Sequence, residues 1–370
     1  MSGPAAPSRR IVFRWLDLEQ PTTGVPAGEL IGSVTSAPLE PDFAATSVVT
    51  SWHAATPGSS WIEVLVRGGE DAWTPWVPIA RWADHDDVVE PTSMCGHVDV
   101  DGVHVATDEV RICPDRGWRR VQIRVDLMRR GTGADRPVLH RVGVLASRVP
   151  GRDTDHHPAP GPVASHDRVL ELPVYSQQLH HDRFSEYDGG GGSWCSPTSL
   201  AMVLDHVGAL PSPEDYTWVT EGPDRFVPHL ARRCFDHAYG GAGNWSFNVA
   251  YAATRGVTAF VTRLRSFAEA ERFIDAGLPL VLSVAFEADQ LNGAGYRTDG
   301  HLLVLVGFGA DGDPVVHDPA SHTIRDNAAV CTVYAREQLE RAWLGASGGI
   351  VYVVHPPQAV LPTAPAEANW

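Results

Sequence analysis

Cys195, His301 and Asp318 are the residues whose types and order could do nucleophilic chemistry in this 370-residue sequence. Cys195 closes the run Gly189-Gly190-Gly191-Gly192-Ser193-Trp194 and opens Ser196-Pro197-Thr198, the expected start of a helix. Free N–H groups and the dipole at a helix N-terminus favour a thiolate, which is the attacking form of cysteine. The same N–H groups can hold an oxyanion, and a glycine-rich approach lets a substrate backbone come close. His301 follows Thr298-Asp299-Gly300 and heads an apolar run, and Asp318 ends the run Val315-Val316-His317 just before Pro319. If the two runs are adjacent strands, the carboxylate can hold one ring nitrogen and stabilise the imidazolium. Taken singly, each has a plainer reading: a buried Cys ahead of a core helix, a strand-end His, a turn Asp. Taken together, with His about 105 residues after Cys and Asp 17 further on, they describe a nucleophile, its base and the orienter of that base.

Elements must exist to bring these three together. Over 196–207, Leu200, Val203, Leu204 and Val207 share one helical face, Pro197 fits the first turn and Gly208 stops the helix. Helices are also expected over 247–254 and 267–276, the latter opened by a Ser266–Glu269 capping box and ended by Gly277. Apolar runs at 280–286, 302–308, 315–317 and 350–354 read as buried strands. Helices followed by a sheet give an α+β domain over 170–356. Before it, 1–149 reads as an all-β, sandwich-like domain. Its short alternating runs at 47–52, 61–66, 97–100, 103–107 and 121–127 are divided by Gly, Pro and Asp, with a hairpin signal at Asp101-Gly102. The stretch 150–169, rich in Pro, Gly, Asp and His, reads as a linker, and 357–370 as a flexible tail.

A nucleophile at a helix start with base and orienter on consecutive strands is the papain arrangement. The stretches Leu172-Pro173-Val174-Tyr175-Ser176-Gln177, then Trp194-Cys195-Ser196-Pro197-Thr198-Ser199-Leu200, then Gly300-His301 and Asp318-Pro319, carry a closer likeness. Over 172–355 the chain resembles the papain-fold cysteine peptidases of the bacteriocin-processing, double-glycine-leader type. More narrowly it resembles their stand-alone actinobacterial relatives, which lack a transporter. The resemblance implies a peptide or protein substrate, no cofactor, and an oxyanion-hole amide from the Gln upstream of the nucleophile. That role falls on Gln177, with Gln178 as the alternative. Two departures stand out: Ser196 replaces the Gly usual after the Cys, and the glycine run lengthens the gap from Gln177 to Cys195 like an insertion.

Composition narrows the field. The net charge of −16 makes nucleic acid and anionic membranes poor partners. All 29 basic residues are Arg, which removes Schiff-base, P-loop and Ser-Lys mechanisms. Five Cys at no CxxC spacing exclude a zinc ribbon; Cys95 and Cys113 are a conceivable disulfide, and Cys234 and Cys331 are expected in the core. His156-His157 and His180-His181-Asp182 lack the spacing of a metal site, and His317 should face away from Asp318. No apolar run reaches the ~18 residues of a membrane span. The N-terminus lacks a secretory h-region, so a cytoplasmic location is expected, or an exported one if the start is misassigned. Trp52, Trp61, Trp73, Trp76 and Trp82 crowd the β-domain as core or as a stacking surface. Competing readings keep the fold with acyl transfer or deamidation, or make the chain a binding protein acting through its β-domain.

Overall fold

The computed structural model describes residues 9–19, 29–96, 99–100, 102–150 and 167–370. His97, Asp101, His156, His157 and most of the expected linker lie outside them.

The N-terminal strands are β1 (Arg10–Trp15), β2 (Leu30–Thr35), β3 (Ser47–Ala55), β4 (Ser60–Gly69), β5 (Val77–Trp82), β6 (Thr92–Ser93), β7 (Asp99–Val100), β8 (Val103–Val105), β9 (Val110–Ile112), β10 (Arg120–Arg129) and β11 (Val138–Arg148). They form two antiparallel sheets, ordered β1-β11-β3-β9-β8-β7 and β2-β10-β4-β5-β6. Alternation explains their placement: Ile62, Val64 and Val66 of β4 point into a core shared with Val142, Val144 and Ala146 of β11. Trp52, Trp61 and Trp82 are buried, whereas Trp73 and Trp76 lie half-buried beneath the Arg67 guanidinium, at 4.7 and 4.3 Å. Packing accounts for the first three and arginine stacking for the last two.

The C-terminal half holds β12 (Arg168–Val169), α1 (Cys195–His206), α2 (Phe226–Arg233), α3 (Trp245–Thr254), β13 (Thr258–Arg263), α4 (Phe267–Asp275), β14 (Leu280–Phe286), β15 (Thr298–Phe308), β16 (Pro314–His317), β17 (Cys331–Val333), α5 (Arg336–Ala346) and β18 (Ile350–His355). One antiparallel sheet runs β13-β18-β14-β15-β16-β17, with β12 paired to β15. The near-continuous apolar runs of β14, β15 and β18 are buried, as strands covered on both faces must be. Helix α1 is buried from Ser196 to Leu204. Ser199 Oγ donates to the Leu302 carbonyl at 3.0 Å, which ties the helix to β15.

Several expectations are corrected. Arg168 and Val169 pair with Phe308 and Gly307, so the last linker residues belong to the sheet. Helices and strands alternate after α3 instead of following in two blocks. The Ser266 side chain makes no cap; the Glu269 carboxylate accepts from the Arg265 N–H at 2.8 Å instead. Cys331 is exposed, because β17 is an edge strand. The expected loose tail is docked. Phe13 N donates to the Ala368 carbonyl at 3.1 Å, Asn369 is fully buried against Arg263 and Glu269, and the Trp370 ring meets Phe273 at 5.0 Å. The reason is that three side chains of the terminal four residues find apolar or hydrogen-bonded seats, which composition does not reveal.

The two halves are not beads on a string. Ile11, Phe13, Val49 and Leu145 of the first sheet are buried in the C-terminal core, with Phe13 stacked on Phe260 at 4.5 Å. Phe247 of α3 reciprocates in the N-terminal core. Each such side chain contributes roughly 1.5–3 kcal/mol when buried. The apolar contacts therefore outweigh the ion pairs between Arg232 and Asp86 and between Arg263 and Glu109, since replacing even a buried pair with apolar residues is often neutral.

Candidate active site

The glycine run is a close-packed turn rather than slack insertion. Gly189 and Gly190 have positive φ, and Gly191 to Ser193 form a short 3-10 turn. A Cβ on Gly191 would lie 2.5 Å from the Gln177 carbonyl oxygen and from the His180 carbonyl carbon. Trp194, fully buried, anchors the turn by donating Nε1 to the Tyr187 carbonyl at 2.7 Å. Helix α1 then starts at Cys195, and its N-cap supplies no side-chain acceptor. The first N–H groups of α1 are left to the cleft or its occupant.

His301 lies on β15, 3% exposed, opposite Val284 of β14. Its Nε2 lies 2.8 Å from Asp318 Oδ1, which leaves Nδ1 for Cys195, whose charge and thiol act on the ring. Asp318 is fully buried just beyond β16. Its Oδ1 also accepts from Ala320 N at 3.0 Å, while Oδ2 accepts from the hydroxyls of Tyr296 and Tyr334, each at 2.8 Å. Burial alone would raise the Asp318 carboxyl, yet the imidazolium charge and the hydrogen bonds from His301, Tyr296 and Tyr334 hold it below the usual range. Burial pulls His301 down, but the charges of Asp318 and Cys195 and hydrogen bonds to both push it up to about 10.

Gln177 is 2% exposed in the turn before the glycine run. Its Nε2 donates to the Gly192 carbonyl at 2.6 Å, which occupies one amide hydrogen and leaves the second; its Oε1 has no partner. Cys195, His301, Gln177 and Gln178 all line one cleft of about 600 Å³, whereas Asp318 sits behind His301 and does not line it. The structure thus sets Cys195, His301 and Gln177 on one cleft, with Asp318 bonded to His301 from behind.

Other candidates stay apart. His317 is buried next to Asp318 without lining the cleft; burial lowers it to about 4. His180 is fully buried with both ring nitrogens unpartnered, and burial lowers it to about 4. His181 pairs with Asp182 at 2.8 Å. Among the described residues no group of three or more His, Cys, Asp or Glu could hold a metal ion, and the exposed Cys113 is in no disulfide. No described helix is long and apolar enough to cross a membrane.

Sequence reasoning missed Tyr296 and Tyr334, whose hydroxyls complete the Asp318 site. It also missed Thr107 and Asp108 of the N-terminal half, which line the cleft. Neither tyrosine has a periodic signal: one precedes His301 by five residues in a loop, and the other follows an edge strand.

A thiol at the head of a buried helix, with its imidazole on an antiparallel sheet, is the framework of the papain class of cysteine peptidases. Residues 169–350 match the family described as the Peptidase_C39 like family, and residues 13–147 match the Peptidase C39 N-terminal domain. The chain belongs to the Peptidase_C39 like family, with a C39 N-terminal domain ahead of the family domain. No curated protein matches it. Among solved structures it is similar to a double glycine motif protease from an AMS/PCAT transporter, determined in complex with the leader peptide. That pair shares 18% identity over 51% of this chain and 94% of that one, with a TM-score of 0.28. It is also similar to a protein from Bacillus anthracis described as a C39-like peptidase, at 16% identity over 51% of this chain and 98% of that one, TM-score 0.34.

Proposed function

We propose that this chain is a cysteine peptidase in which Cys195 attacks, His301 moves the proton, Asp318 holds His301, and Gln177 helps bind the oxyanion. The observation that carries the reading is the buried His301–Asp318 pair, 2.8 Å apart, with His301 and Cys195 lining the same cleft. His301 Nδ1 takes the thiol proton and the thiolate adds to a peptide carbonyl, forming a C–S bond. The oxyanion lies against the N–H groups at the start of α1 and the second amide hydrogen of Gln177. The tetrahedral intermediate collapses as the imidazolium gives its proton to the departing amine. His301 then activates water, and hydrolysis of the thioester frees the acid and the thiol. The N-terminal sheets read as a sandwich that buttresses this domain. The substrate reads as a peptide or protein, and oligomeric state plays no part in the scheme.

The test is hydrolysis of a peptide library followed by mass spectrometry, with and without iodoacetamide at mildly acidic pH. Preferential alkylation at Cys195, with loss of cleavage, is expected; full cleavage by Cys195→Ala would refute the assignment. An added amine separates hydrolysis from acyl transfer by its appearance in the product.

A further inference from the structure

We propose that the N-terminal domain builds part of the substrate site, where Asp108, with Asp188 on the wall of the same cleft, receives a cationic group of the peptide. This deepens the peptidase reading and rests on it. Thr107 and Asp108 come from the turn between β8 and β9 and line the same cleft as Cys195 and His301. That turn is clamped at three successive residues. Asn244 Nδ2 donates to the Thr107 carbonyl at 3.1 Å, Trp245 N donates to Asp108 Oδ2 at 3.3 Å, and the Glu109 carboxylate meets Arg263 at 2.6 Å. Asp108 is therefore held in place by the peptidase half.

The carboxylate has no cation of its own. The nearby guanidiniums of Arg263 and Arg111 are both taken by Glu109, at 2.6 and 2.8 Å, and Asp188 forms no ion pair among the described residues. Burial raises both acids: with the Glu109 charge it brings Asp108 to about 7, and it brings Asp188 to about 6. Asp108, Asp188, Tyr239 and Cys195 all line this one cleft. The cleft's other charged wall residue, Arg297, turns to Glu287 at 3.7 Å. Gln177 gives an independent sign of a missing occupant: its Oε1 is buried in this cleft with no donor facing it. A peptide supplies both what the acids lack, an ammonium or guanidinium, and an N–H for that oxygen. The groups around Asp108 are Glu109, Arg111, Arg263, Tyr239 and Tyr352, so its own ionisation and that of Asp188 govern binding between pH 5 and 8.

The experiment uses the full chain as Cys195→Ala, so that binding is read without turnover. Alanine-glycine decapeptides carry one Arg, norleucine or Glu at each position in turn, each with a free or an acetylated N-terminus. At pH 8 a cationic peptide should bind about tenfold or more tighter than its neutral counterpart, the effect of ~1.4 kcal/mol, and the advantage should shrink at pH 5.5. Dependence on Arg assigns the cation to a side chain and dependence on the free N-terminus assigns it to the α-amine; either supports the proposal. Adding Asp108→Asn or Asp188→Asn should collapse the ratio. Equal binding of cationic and neutral peptides at pH 8, or a ratio that survives both substitutions, overturns it. A chain that binds these peptides selectively yet cleaves none as wild type would instead refute the peptidase reading.

Discussion

Replacing Asp318 with Asn isolates the charge of that residue from its shape. Asn keeps an oxygen to accept from His301 Nε2, and the Tyr296 and Tyr334 hydroxyls can rotate to accept from its amide. Papain-like sites with Asn at the orienting position do work, so the fold and some activity should survive. What is lost is electrostatic. The rise of His301 from 6.5 to about 10 corresponds to roughly 5 kcal/mol at 1.36 kcal/mol per tenfold change. Asp318 and Cys195 share that support, so removing one charge should lower the imidazolium by about two pH decades. A raised His contributes stability that is fully present below 6.5 and is lost as pH climbs through about 10. In Asp318→Asn that loss should come near pH 8. In the proposed mechanism the imidazolium donates to the departing amine, so the alkaline limb of kcat/KM reports the same proton. The assay is kcat/KM from pH 5 to 11 on the best library peptide, beside thermal unfolding over the same range. Wild type should hold its activity to about pH 9–10 while the variant declines from about pH 8. Alkaline limbs that superimpose would refute the claim that Asp318 supports the charge on His301.

Tyr334→Phe removes one of two hydroxyl donors from a fully buried carboxylate oxygen; it should cost about 1–3 kcal/mol in urea unfolding and raise the pH of acid unfolding. Gly191→Ala places a Cβ against backbone of Gln177 and His180; a loss of about 1–3 kcal/mol is expected, with kcat falling more than KM rises because the Gln177 amide is displaced. Trp370→Ala empties the seat on Phe273 and should destabilise by about 2–4 kcal/mol; an unchanged denaturation midpoint would mean the terminal residues are undocked.

What was legible in the sequence follows the range of the forces. Helix α1 and strands β14, β15, β16 and β18 could be placed because their apolar periods are local and their ends carry Gly or Pro. The pairing of His301 with Asp318 could be anticipated because His301 lies on β15 and Asp318 follows β16, consecutive strands that pair in the sheet. Tyr296 and Tyr334 could not, since their role depends on two loops returning to one buried carboxylate, and a Tyr in a loop looks the same whether or not it finds one. The docked tail was missed for a related reason: Asn369 and Trp370 are individually ordinary, and only the tertiary seats at Glu269 and Phe273 give them value. The glycine run resembles an insertion in sequence because an insertion and a forced close approach have the same letters; the distance from Gly191 to Gln177 separates them.

The same geometry ties the cleft to the β-domain. The cleft needs the β8–β9 turn at a fixed height above α1, and a single hydrogen bond of about 1 kcal/mol could not fix it. Two kinds of contact act at once. The apolar seats of Ile11, Phe13, Val49 and Leu145 hold the sheet as a whole, without direction. The Arg263–Glu109 pair and the Asn244 amide supply direction, and they are placed one residue on either side of Asp108. Asn244 is also the N-cap of α3, where its Oδ1 accepts from Phe247 N at 3.1 Å, and its Nδ2 reaches Asp236 at 2.9 Å. The helix start that packs Phe247 into the N-terminal core is thus the same element that grips the Thr107 carbonyl. A shift of the β-domain would strain a helix cap and a buried ion pair together, so the wall of the cleft moves only if the domain junction opens.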